Sequence, residues 1–240
     1  AGHLREYDDL MADIEGADIE GVGRNGRAPK RRVAVLISGG GSNLQALLDA
    51  AAAPDYPAEI ALVVSNVAGV HGLDRAAKAG VPTVTLPHRD FDDRAAFEAA
   101  IAENLASNAI DLICLAGFMR ILTADFVRAW EGRMLNIHPS LLPAFKGRDV
   151  QARALAAGVK ISGCTVHLVT ADLDDGPIVA QAAVPVAADD TVASLSARIL
   201  AEEHRLYPRA LAWLAAGALK VADGQVQLTG AVTSSERLQS

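Results

Sequence analysis

The sequence lacks the features that mark several large classes of protein. Only two cysteines occur in 240 residues, Cys114 and Cys164, and both stand in apolar stretches, so a disulfide framework is excluded and buried thiols are expected. No apolar run reaches the roughly 18 residues that a helix needs to cross a bilayer. Aromatic residues make up 4% of the chain and acids outnumber bases by 29 to 22, which argues against a nucleic-acid-binding surface.

The start of the chain also lacks the basic residues and apolar centre of a signal peptide, so we expect a cytoplasmic protein. Residues 1–20 carry seven acids against one base, and residues 21–32 then bring glycines, a proline and five bases. This composition predicts a flexible N-terminal extension over residues 1–30. Hydrophobic residues nevertheless account for 51% of the chain, which is ample for a sizeable core in the remainder.

From residue 32 onward, apolar runs alternate with segments of helical spacing. The runs are continuous and rich in β-branched residues, which predicts strands buried on both faces at 33–38, 59–65, 81–86, 111–117 and 134–138. Each is followed by a helix-like segment, one of which has Asp92 or Asp93 as its N-cap. This alternation predicts an α/β fold with a mostly parallel, doubly wound, Rossmann-like sheet.

The second half of the chain changes character. Two strands are predicted at 163–169 and 177–186, close enough to pair, and a long helix follows from about 191 to 216. An Asp-Gly turn within 220–228 predicts a short hairpin, which leaves 220–240 as a hairpin and tail. The body is therefore predicted as one domain in two lobes, the second of which adds strands and a long helix.

A glycine-rich loop follows the first strand and reads Ser38-Gly39-Gly40-Gly41-Ser42-Asn43. Glycines allow close approach to a ligand, and the next helix offers its N-terminal N–H groups to a phosphate. The dinucleotide fingerprint fails because Leu44 replaces its third glycine and Asn66, not an acid, ends the second strand. Ser42 and Asn43 favour a monophosphate, and a tight turn without a ligand is the alternative.

The fifth strand ends in a second polar motif. In an extended strand Asn136 and His138 point to the same side, at the carboxyl end where open α/β sheets bind ligands. An amide donor beside an imidazole suits a reaction in which a carbonyl oxygen gains charge while protons move. A structural histidine is the alternative.

Three acids follow in the loop 170–177, at Asp172, Asp174 and Asp175. All three are typical of an ordinary solvated turn, and the alternative is a metal site formed by Asp174 with His138 and His167. No recognised zinc or calcium spacing supports the metal, so none is predicted.

Together these motifs resemble one family, the phosphoribosylglycinamide formyltransferases of purine synthesis. The resemblance runs in order from about residue 33 to 219, through SGGGSNLQALLDA, LAGFMRIL, NIHPSLLPAFKG, GCTVHLVTADLDDGPI and EEHRLYP. It implies transfer of a formyl group from the co-substrate 10-formyltetrahydrofolate to the amine of glycinamide ribonucleotide. It implies small-molecule substrates, with no metal, nucleic acid or membrane involved, and it leaves a homodimer open.

The resemblance also implies roles for individual residues. The catalytic residues would be Asn136, His138 and Asp174. The ribonucleotide would be held by Gly41, Ser42, Asn43 and Glu203. The folate would be held by Arg94, Met119, Arg120, Ile121, Leu122 and Asn136. The nucleotide-binding half would then span about 31–130 and the folate and catalytic half about 131–219. At residues 147–149 this sequence has Gly147-Arg148-Asp149, whereas the family more often has glycine-leucine-histidine at these positions.

Three alternatives stay open. A formyltetrahydrofolate deformylase would share the catalytic residues but pass the formyl group to water, and would carry a regulatory domain larger than residues 1–30. A methionyl-tRNA formyltransferase would append a tRNA-binding domain to the same core. A non-enzymatic nucleotide-binding module would need the glycine loop but not Asn136, His138 and Asp174 together.

Overall fold

A computed structural model describes residues 29–229, so nearly all of the predicted N-terminal extension and residues 230–240 of the predicted tail lie outside the described range. The strands are β1 (Arg31–Ile37), β2 (Ala58–Ser65), β3 (Thr83–Thr85), β4 (Leu112–Leu115), β5 (Met134–His138), β6 (Ile161–Leu168), β7 (Ile178–Pro185), β8 (Leu219–Ala222) and β9 (Gln225–Leu228). The helices are α1 (Ser42–Ala51), α2 (His71–Lys78), α3 (Arg94–Ser107), α4 (Ala124–Ala129), α5 (Val150–Ala156) and α6 (Val192–Ala215), with a short 3₁₀ turn at His88–Asp90.

Seven strands form one sheet in the order β3-β2-β1-β4-β5-β6-β7. The first five are parallel, and β6 and β7 continue the sheet as antiparallel neighbours of β5. The order 3-2-1-4-5 reverses direction between β1 and β4, as in other doubly wound folds. The predicted fold class is therefore confirmed, and β5 lies at the boundary between the parallel and antiparallel parts.

The core has two layers because alternate residues of each buried strand face opposite sides of the sheet. Val33, Val35 and Ile37 of β1 pack with α1 and α6, whereas Ala34 and Leu36 pack with α3 and α4. Helices on both faces explain why β1, β2, β4 and β5 are continuous apolar runs. Asp93 is the N-cap of α3, and its carboxylate accepts the Ala96 N–H at 2.8 Å.

The third strand is shorter than the sequence predicts. Only Thr83–Thr85 pair with β2, and both threonines are exposed. This strand is the edge of the sheet, where fewer residues are covered and the pairing ends sooner.

The 24-residue helix α6 crosses one face of the sheet. Its buried Tyr207 hydroxyl contacts two backbone carbonyls, that of Leu115 (2.9 Å) at the end of β4 and that of Leu135 (3.1 Å) near the start of β5. The helix thus contacts both strands whose carboxyl ends lead into the polar motifs. The hairpin β8–β9 turns at Asp223-Gly224, as the Asp-Gly signal predicts. Within residues 29–229 no helix combines the length and the apolarity needed to cross a bilayer.

Candidate active site

The predicted catalytic residues share one cleft at the carboxyl ends of β4 and β5. The cleft has a volume of about 630 Å³ and lies where doubly wound sheets bind their ligands. Its walls are the β4–α4 loop, the end of β5, the turn that leads into α5 and the loop after β6. Among the residues that line it are Asn136, His138, Asp174, Met119, Arg120, Ile121 and Leu122.

His138 ends β5 and is buried, with 5% of its surface exposed. Its Nε2 lies 3.0 Å from the carbonyl oxygen of Phe145, and its Nδ1 lies 3.5 Å from Asp174 Oδ2. Both ring nitrogens therefore face hydrogen-bond acceptors. Only the imidazolium form of the ring donates from both nitrogens, so that form fits this arrangement best. To donate to a bound substrate, the ring must exchange one of these partners.

Asp174 is buried and has a positive φ of 51°, a conformation uncommon outside glycine. Its Oδ2 accepts the Gly147 N–H at 2.9 Å, in addition to facing His138. The next residue, Asp175, is exposed and forms an ion pair with Lys146. The loop therefore turns Asp174 into the cleft and Asp175 towards solvent.

Gly176 allows this loop to close on β6. A Cβ at this position would lie only 1.7 Å from the carbonyl oxygen of Leu168, so no side chain fits there. The Pro177 carbonyl accepts the Leu168 N–H at 3.0 Å, which fixes the loop to the end of the strand. The Gly-Pro pair thus places Asp174 against the cleft.

His167 is a neighbour of the predicted catalytic residues, and from the sequence it is a candidate only as a metal ligand. It is buried on β6, and β-sheet pairing sets it opposite Asn136. Its Nδ1 lies 3.0 Å from the Leu168 carbonyl and so carries the proton, which leaves Nε2 to accept from Asn136 Nδ2 at 3.2 Å. Nε2 also lies 3.8 Å from Asp174 Oδ1.

This contact orients the Asn136 amide and leaves its second N–H available to a ligand. Burial lowers the pKa of His167, and the nearby His138 adds to that effect, whereas the Leu168 carbonyl and Asp174 oppose it. Only the pairing of β5 with β6 reveals this role, because His167 and Asn136 are 31 positions apart.

The segment Met119–Leu122 has an irregular backbone between β4 and α4. Its first N–H, that of Met119, donates to Ser38 Oγ at 2.8 Å. The backbone N–H groups of Arg120, Ile121 and Leu122 have no hydrogen-bond partner within residues 29–229. They are therefore available to a heterocycle in the cleft.

The far end of this segment is anchored by α3. Buried Glu98 accepts the Thr123 N–H at 2.7 Å and also bonds its hydroxyl. Burial raises the pKa of Glu98, and the two bonds from Thr123 and the charge of Arg94 oppose the shift. Arg94 itself is exposed at the start of α3 and does not line the cleft, so the predicted folate contact of this residue would be made outside it.

The predicted ribonucleotide residues form a second cluster outside the lining of the cleft. Asn43 Nδ2 donates to Glu203 Oε2 at 2.7 Å, which joins the start of α1 to α6. Burial raises the pKa of Glu203, and the bond from Asn43 partly opposes the shift. Asn43 Oδ1 is buried without a partner in the described chain, so the cluster retains an unused acceptor.

Gly41 is the N-cap of α1 and has a φ of 70°. A Cβ here would lie 2.7 Å from Gly72 Cα, so this glycine is required for packing against α2 as well as for any ligand. Arg75 of α2 braces the same loop, because its Nε donates to the Gly40 carbonyl at 2.9 Å. Ser42 opens the helix beside it.

The unusual loop at Gly147-Arg148-Asp149 lines the cleft. Asp149 is the N-cap of α5 with a φ of 54°, yet its side chain does not cap the helix. Phe145 in the same loop also has a positive φ, of 54°.

Across residues 29–229, no group of three or more histidine, cysteine, aspartate and glutamate side chains has an arrangement that holds a metal.

The fold and the site define an enzyme of the formyl transferase type. A family model described as "Formyl transferase" matches residues 31–211. The chain belongs to this family, and its resemblance to the phosphoribosylglycinamide formyltransferases is confirmed by the relatives. The phosphoribosylglycinamide formyltransferase of Escherichia coli is 43% identical over 82% of this chain and 93% of its own length. Glycinamide ribonucleotide transformylase 1 from Symbiobacterium toebii superposes with a TM-score of 0.82, at 49% identity, over 84% of this chain and 95% of that one.

Two further relatives bear on the alternatives. The trifunctional purine biosynthetic protein adenosine-3 of Bos taurus is 54% identical over 81% of this chain. The matched region spans only about a fifth (19%) of that relative's length. A formyltetrahydrofolate deformylase from Pseudomonas syringae has a TM-score of 0.78 but only 27% identity, over 85% of this chain and 67% of that one. The deformylase is therefore more distant in sequence than the transferases, although the fold is shared.

Proposed function

We propose that this protein transfers the formyl group of 10-formyltetrahydrofolate to the amine of glycinamide ribonucleotide, a step of purine synthesis. The observation that carries the proposal is the buried Asp174–His138 pair beside Asn136. This pair lies in a cleft of which one wall is the segment Met119–Leu122. The 42–43% identity to two bacterial transferases over most of both chains supports the same reaction.

In the proposed reaction, the ribonucleotide amine attacks the formyl carbon and a tetrahedral intermediate with a negatively charged oxygen forms. Asn136 and the imidazolium of His138 both donate to that oxygen, and one such preorganised donor is worth on the order of 3 kcal/mol. The C–N bond to the folate nitrogen then breaks as that nitrogen takes up a proton and the attacking amine loses one. Asp174 stabilises the imidazolium and relays the amine proton through water.

Each substrate has a proposed place. The folate heterocycle binds the available backbone N–H groups of residues 120–122, and Arg94 at the start of α3 attracts the acidic end of the folate from outside the cleft. The ribonucleotide phosphate binds the N–H groups of Gly41, Ser42 and Asn43 at the start of α1, where a helix favours an anion. Glu203 holds the ribose hydroxyls. No step requires a metal ion.

Absorbance-monitored turnover of 10-formyltetrahydrofolate, with and without glycinamide ribonucleotide, tests this function. We expect turnover only with the ribonucleotide, and a marked rise in KM when its phosphate is removed, because the glycine loop can no longer hold it. Equal turnover with and without the ribonucleotide would establish the deformylase instead. Binding of the ribonucleotide with no turnover of the folate would leave only a nucleotide-binding module.

Three further proposals accompany the reaction. The chain acts in the cytoplasm, it binds small molecules rather than nucleic acids, and a homodimer is its candidate assembly. Sedimentation of the full chain at several concentrations tests the last of these.

A further inference from the structure

Ser38 connects the two candidate substrate sites. It follows β1 directly and precedes Gly39 of the glycine loop, while its hydroxyl accepts the N–H of Met119 at 2.8 Å. Met119 opens the segment that lines the folate cleft. One side chain therefore joins the loop assigned to the ribonucleotide and the loop assigned to the folate, across 81 positions of sequence.

The hydroxyl is held in this position by Asn66. Ser38 Oγ donates its only proton to Asn66 Oδ1 at 2.5 Å, so its lone pairs remain for Met119. Asn66 is buried, with 3% exposure, and its own backbone N–H donates to the Ile37 carbonyl at 3.4 Å. Its Nδ2 lies 3.3 Å from His88 Nδ1. The bridge is therefore anchored in the end of β2 and is not a flexible surface contact.

Each loop has other supports that do not depend on Ser38. The glycine loop is braced by Arg75 through the Gly40 carbonyl, and Asn43 is held by Glu203. The folate segment is anchored at its far end through Thr123 and Glu98. Loss of the Ser38 hydroxyl should thus leave each binding site formed while releasing the connection between them.

We propose that Ser38 is a positioning residue, which sets the spacing between the ribonucleotide amine and the formyl carbon. The inference rests on the proposed function. Transfer requires the reacting atoms to approach to about 3 Å, and a displacement of about 1 Å can cost roughly 100-fold in rate. A residue that fixes the distance between two loops therefore affects the rate of transfer more than the binding of either substrate.

The test compares Ser38→Ala with the unchanged chain in steady-state kinetics with both substrates varied. We expect kcat to fall by roughly 10- to 100-fold, while the KM for each substrate stays within about threefold. The matched control is Ser65→Ala. Ser65 also ends a neighbouring strand, but within residues 29–229 its hydroxyl bonds only to the local backbone at Val67, so kcat should stay within about twofold.

Two more variants separate positioning from a loss of structure. Ser38→Thr keeps the hydroxyl and should recover most of kcat, whereas Ser38→Cys keeps the size but bonds weakly and should behave like alanine. The cysteine variant also serves if the alanine variant does not fold. An unchanged kcat in either the alanine or the cysteine variant would overturn the inference, as would KM values that rise in proportion to the fall in kcat. If the unchanged chain transfers no formyl group, the proposed function fails instead.

Discussion

At the scale of single residues, the burial of His138 against two acceptors makes it the first side chain to replace. We expect His138→Ala to lower kcat by roughly 10²- to 10⁴-fold, the usual contribution of a positioned acid–base group, with little change in substrate binding. Exposed His71, whose Nδ1 lies 3.3 Å from Asp74 Oδ2 on α2, is the control, and His71→Ala should keep full activity. Near-normal turnover by a folded His138→Ala protein would remove His138 from the mechanism.

The pair Asp174 and Asp175 allows a sharper comparison, because the side chains are 6% and 53% exposed. Asp174→Asn keeps the shape but removes the charge that stabilises the imidazolium of His138, so kcat should fall. Asp175→Asn removes only a surface ion pair, which is worth roughly 0–1 kcal/mol, and activity should remain. If Asp175 proved the more sensitive residue, the loop would be aligned wrongly by one position.

His167 makes the free energy of unfolding depend on pH, and the direction of that dependence follows from its lowered pKa. Burial holds its folded-state pKa below the ordinary value of 6.5, so the folded protein binds fewer protons than the unfolded chain between those two values. The free energy of unfolding should therefore be fully retained above pH 6.5 and should decline as the pH falls towards the lowered pKa. Denaturant titrations from pH 7.5 to 5 should show a steeper decline for the unchanged chain than for His167→Gln. Parallel curves would show that His167 has the same pKa in the folded and the unfolded protein.

At the scale of elements, sequence patterns indicate the parts whose signal is local. Continuous apolar runs identify β1, β2, β4 and β5, and the Asp-Gly pair identifies the β8–β9 turn. The contacts of His138 with Phe145 and of Asn136 with His167 could not be predicted in this way. They depend on a loop conformation and on the register of β5 against β6, which are set by tertiary packing rather than by neighbours in sequence. The individual roles of the site residues therefore stay predictions.

Helix α3 illustrates how one element fixes another. Glu98 faces inward and holds Thr123, which follows the segment Met119–Leu122, so Glu98→Ala should leave the Thr123 groups without their acceptor. The loss of such buried bonds costs about 1–3 kcal/mol of unfolding free energy, and the KM for folate should rise more than that for ribonucleotide. Glu103→Ala on the exposed face of the same helix is the control, for which both quantities should stay unchanged. Equal effects on both KM values would mean that Glu98 supports the fold generally.

At the scale of the whole molecule, the family match begins at residue 31, where β1 also begins. Lys30 is anchored, because its Nζ donates to the Ala53 carbonyl at 2.9 Å. We therefore expect a chain that begins at Pro29 to fold and to keep the kcat and KM values of the full chain. Thermal unfolding and kinetics of the two chains side by side provide the measurement. A loss of activity or solubility would show that residues 1–28 contribute to the body or to its assembly.

The bond between Asn43 and Glu203 has a consequence for how the protein is made. Its two residues are 160 positions apart, so this bond closes a loop that includes most of the body. During synthesis Asn43 leaves the ribosome 160 residues before Glu203. A nascent chain that stops before α6 contains the first five strands, yet it cannot bring Glu203 to Asn43. The proposed ribonucleotide site is thus complete only after α6 has been translated.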